Sequence, residues 1–176
     1  MWLVSLIASL AVLPSMAQEP AAPMTIVGEF SNMRFTEEHA YGYMVQFWRH
    51  GKDFAGLLLS SEGLQGDTPT GLLENVHFDL RSGKVSFTAN LTTDMAVMEN
   101  GRQEPTRDYF EFQGILRKDS LSGVLKRSDH LRHGTTPISK QLVLKKQTAS
   151  GMTEPSSYAE WKKETDEILE YRGPKW

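Results

Sequence analysis

Between residues 24 and 147, apolar and polar positions alternate with a period of two rather than 3.6. Val85, Phe87, Ala89 and Leu91 alternate with Lys84, Ser86, Thr88 and Asn90. Phe110 and Phe112 flank Glu111, and Leu142 and Leu144 sit among Gln141, Val143 and Lys145. One apolar and one polar face marks an antiparallel strand packed on one side and wet on the other. The alternation predicts eight strands, at 24–32, 41–50, 53–60, 71–80, 83–92, 107–117, 119–127 and 139–146. Their inward faces are expected to hold Ile26, Phe30, Val45, Phe47, Val76, Phe78, Phe87 and Phe112, with Glu74 pointing the same way near a strand start.

The connections alternate strictly between short and long. His50-Gly51-Lys52-Asp53, Arg81-Ser82-Gly83 and Arg117-Lys118-Asp119 are tight turns, and Gly51 and Gly83 can supply the positive φ such turns require. The stretches 33–40, 61–70, 93–106 and 128–138 are long. In an up-and-down meander, successive connections fall at opposite ends. All four long loops therefore belong to one end, the rim, and all three tight turns to the other, the base. Eight strands are enough to close, which removes exposed edges. The expected fold is an all-β, eight-stranded antiparallel up-and-down barrel over 24–147.

After a Ser/Thr/Gly linker at 148–154, the pattern changes to a helix over 155–172 packed on the barrel. Ser157 and Glu160 form a capping box, Tyr158, Trp161, Thr165 and Ile168 make one stripe, and Gly173-Pro174 ends it. Gly28, Gly56, Gly114 and Gly123 fall mid-strand on the apolar face. Such glycines either let a small barrel coil tightly or leave room for a ligand.

Residues 1–17 carry no charge, and Trp2–Leu13 is an apolar run too short to span a bilayer. Pro14 ends the run, and Ser15-Met16-Ala17 places small residues at the −3 and −1 positions. That pattern reads as a signal peptide cleaved after Ala17, followed by a flexible lead-in at 18–23, although no Lys or Arg precedes the run. Cysteine is absent, which excludes disulfides, thiolate metal sites and thiol nucleophiles. Export without cysteine fits a bacterial periplasmic or secreted protein better than a eukaryotic one. An outer-membrane barrel is disfavoured by the short strands, by the lysines on the polar faces and by the charged final helix. A net charge of −3 gives no argument for nucleic acid.

Candidate chemistry gathers on the long loops. Rim candidates for contacting a ligand are His39, Asp67, Thr68, Arg102, His130, Arg132 and His133. His130-x-x-His133 supplies two histidines where zinc needs at least three protein ligands, so no metal is expected. The Gly-rich loop 62–71 lacks the Gly-Lys-Ser/Thr of a phosphate loop, and there is no Gly-x-Ser-x-Gly or His-Glu-x-x-His. No cofactor is expected.

In outline, over about 24–171, this arrangement resembles the lipocalin and streptavidin group of barrels, in architecture and not in signature residues. The expectation is a non-catalytic envelope protein. It would bind a small apolar or amphipathic ligand in the cup, or a protein partner at the rim. The alternatives are a hydrolase-type enzyme using rim carboxylates and histidines, or a purely structural envelope protein.

Overall fold

The computed structural model describes residues 23–64, 68–132 and 135–176, so the expected signal peptide, most of the lead-in, Asp67 and His133 lie outside the described residues. The elements are β1 (Met24–Ser31), β2 (Arg34–Phe35), β3 (His39–His50), β4 (Asp53–Leu64), β5 (Thr70–Phe78) and β6 (Lys84–Leu91). They continue as β7 (Met95–Val97), β8 (Gln103–Pro105), β9 (Asp108–Leu116), β10 (Ser120–Asp129), β11 (Ile138–Lys146) and α1 (Tyr158–Arg172).

Eight of these strands close a barrel in the order β1-β11-β10-β9-β6-β5-β4-β3, and β3 returns to pair with β1. Every pairing is antiparallel, which is the expected up-and-down barrel. Two long connections carry structure of their own: β2 pairs with the start of β3, and β7 and β8 form a separate hairpin. These pieces are two or three residues long, too short for alternation to reveal. At the base, Gly51 and Gly83 take φ of 59° and 72°, as the turns require.

Two seams are thin. β1 and β11 pair only at Phe30↔Lys146 and Ser31↔Lys145, and β4 and β5 only from Leu57↔Leu72 to Leu59↔Thr70. Each seam adjoins an irregularity that alternation alone could not foresee. In β1 the register shifts between Ile26 and Gly28, so Val27 packs against the interior and Ile26 turns to the outer wall. In β5 Asn75 takes φ of 51° within a second register shift. Leu73 is inward before the shift, and Val76 and Phe78 pack against the interior after it. Glu74, expected on the apolar face, is exposed outside, opposite Thr88.

Aromatic side chains fill the barrel axis. Phe30 meets Phe47 edge-on at 6.3 Å, Phe47 meets Phe87 at 5.9 Å, and Phe87 stacks on Phe112 at 4.9 Å. The two mid-strand glycines of β9 and β10 accommodate this packing. A Cβ on Gly114 would stand 2.6 Å from Phe112 Cζ and 2.2 Å from the Ser122 carbonyl oxygen. One on Gly123 would stand 2.8 Å from Phe112 Cζ and 2.2 Å from the Gln113 carbonyl oxygen. The missing methyl groups thus admit the Phe112 ring and a close strand approach.

α1 lies on the outer wall. Trp161 packs with Trp48, Met24, Ala55 and Leu57, and Trp48 and Trp161 stand 5.7 Å apart. Of the expected stripe, Trp161 and Thr165 are buried, while Tyr158 and Ile168 remain partly exposed. The Ser157 side chain accepts from Glu160 N–H, and the segment before the helix is tied to the barrel by Trp48 Nε1 donating to the Thr153 carbonyl at 2.9 Å. The helix runs from the base toward the rim, where Lys175 N–H donates to Thr92 and Arg107 lies over Trp176.

Candidate functional site at the barrel mouth

Five of the eight inward stripes, followed toward the rim, leave their apolar run and end in a polar or charged residue. Phe112 and Phe110 lead to Asp108, Leu121 and Leu125 to Arg127, Leu58 and Ser60 to Glu62, Leu144 and Leu142 to Lys140, and Phe47 and Val45 to Tyr43. The alternation that builds the core therefore also sets a ring of charge across its open end.

Asp108 is the deepest member and is fully buried. Its Oδ1 accepts from Arg127 Nε at 2.8 Å, and its Oδ2 accepts from the hydroxyls of Thr106 at 2.5 Å and Thr93 at 2.8 Å. Arg127 Nη2 donates to Thr93 Oγ1 at 2.6 Å, and the guanidinium carbon lies 5.9 Å from the centre of the Phe110 ring. A buried carboxylate needs this degree of pairing, because unpaired burial costs several kcal/mol, on the order of 3–5. Burial disfavours charge on Arg127. The hydrogen bond and charge of Asp108, helped by Glu62 and Tyr43, outweigh it and hold the guanidinium pKa above its ordinary value.

Toward solvent the contacts loosen. Arg127 Nη1 reaches Glu62 Oε2 only at 3.5 Å. Lys140 Nζ donates to Glu62 Oε1 at 3.1 Å and to the Tyr43 hydroxyl at 3.4 Å. Burial again disfavours charge on Lys140, but the Glu62 hydrogen bond and Tyr43 prevail and raise its pKa. Tyr43, Glu62, Leu125, Arg127, Ile138 and Lys140 line a cavity of about 120 Å³ at this mouth.

Among the described residues, the rim candidates expected from sequence are each engaged by a different neighbour. His39 stacks on Tyr41 at 5.9 Å, and His130 stacks on Tyr109 at 5.0 Å. Arg102 Nε donates to Glu104 at 3.0 Å, and Arg132 Nε donates to Asp129 at 2.6 Å, so each cation is engaged by a neighbour on its own connection. Thr68 contributes its carbonyl, which accepts from the Thr70 hydroxyl at 3.0 Å. Among the described residues no group of three or more His, Asp or Glu side chains is arranged to hold a metal ion.

Asp108, Arg127, Glu62 and Lys140 were missed as a set because loop length drew attention outward. The signal that finds them is a charged residue in phase with an apolar stripe, one step beyond its last large side chain for Asp108, Arg127 and Lys140 and two steps beyond it for Glu62. Compared with models of protein families, with curated proteins and with solved structures, the chain matches none.

Proposed function

We propose that the protein is a non-catalytic binding module of the cell envelope that engages a protein partner through the long-loop end of its barrel. The observation that carries this reading is the set of large apolar side chains exposed on that end. Phe35 and Tyr41 stand on the first long connection and the strand after it, Met95 and Val97 on the third, and Ile138 at the end of the fourth. A cluster of exposed apolar groups on loops at one end suits an interaction surface; Leu80, Val143, Tyr158, Ile168, Tyr171 and Trp176 are also exposed, at the base, on the outer wall and on the helix and tail. The phenylalanine-filled axis moves the binding surface from the interior to the mouth. Glu37, Glu38 and Glu99 on the same end favour a protein over an anionic lipid surface.

Site-specific photo-cross-linking in the producing cell tests this reading. Cross-linkers placed at Phe35, Met95 and Ile138 are expected to give one shared protein adduct. Control positions are Val143 on the outer wall and Leu80 at the base, both well exposed. Equal adducts at the controls, or adducts to lipid at the rim, overturn the reading.

A further inference from the structure

The geometry points to a carboxylate on the partner as the group that the barrel mouth receives, taking the place now held by Glu62. This deepens the rim-binding reading and rests on it for the partner, while the site itself stands on its own geometry.

Arg127 is used unevenly. Its inner edge is saturated, with Nε on Asp108 at 2.8 Å and Nη2 on Thr93 at 2.6 Å. Among the described residues, Nη1 has only the distant Glu62 oxygen at 3.5 Å. The inner contacts fix the guanidinium plane, so the outer donor is presented at no further ordering cost. Lys140 adds a second cation, and the Tyr43 hydroxyl a third polar group, around the same cavity. Guanidinium donors match carboxylate oxygens closely.

Glu62 already shows which group fits. Its two oxygens divide between Arg127 and Lys140, yet its side chain is half exposed and can leave for water. Without it, among the described residues Arg127 and Lys140 face Asp108 alone, which leaves one positive charge uncompensated. The cavity of about 120 Å³ equals the liquid volume of about four waters, which suits a carboxylate and the carbons directly behind it.

The probe is acetate, titrated into the purified protein and followed by NMR shifts at Thr93, Arg127 and Lys140. Glu62→Ala is expected to bind acetate at least ten-fold more tightly than the unaltered chain. Adding Lys140→Met should abolish the gain. Two peptides then separate the sources: N-acetyl-tetraglycine offers a terminal carboxylate, and an end-blocked Gly-Gly-Glu-Gly-Gly offers a side-chain one. The peptide that binds the Glu62→Ala protein more tightly than acetate does identifies the source. Circular dichroism confirms that each variant is folded. Equal acetate affinity with and without Glu62, or a gain that survives Lys140→Met, overturns the proposal. Should that happen while the rim cross-links hold, the carboxylate assignment fails and the rim reading stands. Acetate binding with no rim cross-link leaves the carboxylate site standing and overturns the rim reading.

Discussion

Arg127 Nε stands 2.8 Å from Asp108 Oδ1, inside a barrel mouth where Asp108 has no exposure to solvent. Removing the cation alone strands a buried carboxylate. Arg127→Met is therefore expected to cost about 3–5 kcal/mol in chemical denaturation, softened toward the lower figure by the two threonine hydroxyls. The double variant Asp108→Asn with Arg127→Met should recover most of that loss, because neither charge is then left unpaired. Strict additivity of the two single changes would show that the pair is not coupled.

Gly114 and Gly123 give a different kind of test. If their missing side chains left ligand space, alanine would be accepted at either position. The Phe112 ring and neighbouring carbonyls occupy that space instead. Gly114→Ala and Gly123→Ala are each expected to lose about 1–3 kcal/mol or more through overpacking. Phe112→Ala should lose about 3–5 kcal/mol by leaving a cavity. A Gly114→Ala protein with an unchanged denaturation midpoint would contradict the filled-axis account.

Trp48 and Trp161 face each other beneath α1 and make a matched pair for measuring one hydrogen bond. Trp48 Nε1 donates to the Thr153 carbonyl, whereas Trp161 Nε1 is buried and has no acceptor among the described residues. Replacing either by phenylalanine removes the same volume. Trp48→Phe also loses the hydrogen bond to the Thr153 carbonyl, while Trp161→Phe removes an orphaned donor. Trp48→Phe should therefore be the more destabilising by about 1 kcal/mol or more. Equal losses in urea melts would show that the Thr153 contact contributes nothing.

The same periodicity explains both what the sequence reveals and what it hides. Alternation located all eight barrel strands, because their side chains on one face must be apolar for any closed barrel to form. It misplaced Ile26 and Glu74, since each lies beside a one-residue register shift that reverses the facing of everything on one side of it. Asn75 and Gly28, the residues at these shifts, are types that tolerate unusual backbone angles, but neither marks a bulge by itself. The mouth was hidden for another reason. Glu62 stands on β4, which runs four residues past its expected end at 60, so a residue counted as loop belongs to the barrel wall, while Arg127 and Lys140 lie at the rim ends of expected strands, where no apolar neighbour marks them. The rim histidines and arginines were conspicuous by type, yet His39, Arg102 and Arg132 are each engaged by a neighbour two or three residues away, and His130 by Tyr109 across the β9–β10 pair.

The foot of α1 supplies a pH test whose sign follows from one carboxyl group. Glu160 Oε2 accepts from the Ser156 hydroxyl at 2.6 Å and from the Ser156 N–H at 2.7 Å. These bonds, the side-chain one foremost, hold the Glu160 pKa below the ordinary glutamate value. A folded pKa that is depressed binds its proton less readily than the unfolded chain does. Its stabilisation is thus fully present above the unfolded value of about 4.3 and disappears as pH falls through the folded value. Glu160→Gln should accordingly lower the thermal midpoint at pH 7. The gap between it and the unaltered protein should narrow below about pH 4 and close at still lower pH. Melting followed by helical circular dichroism at several pH values reads that gap directly. A gap that stays constant from neutral to acid pH would mean that the Glu160 carboxylate charge has no part in capping the helix.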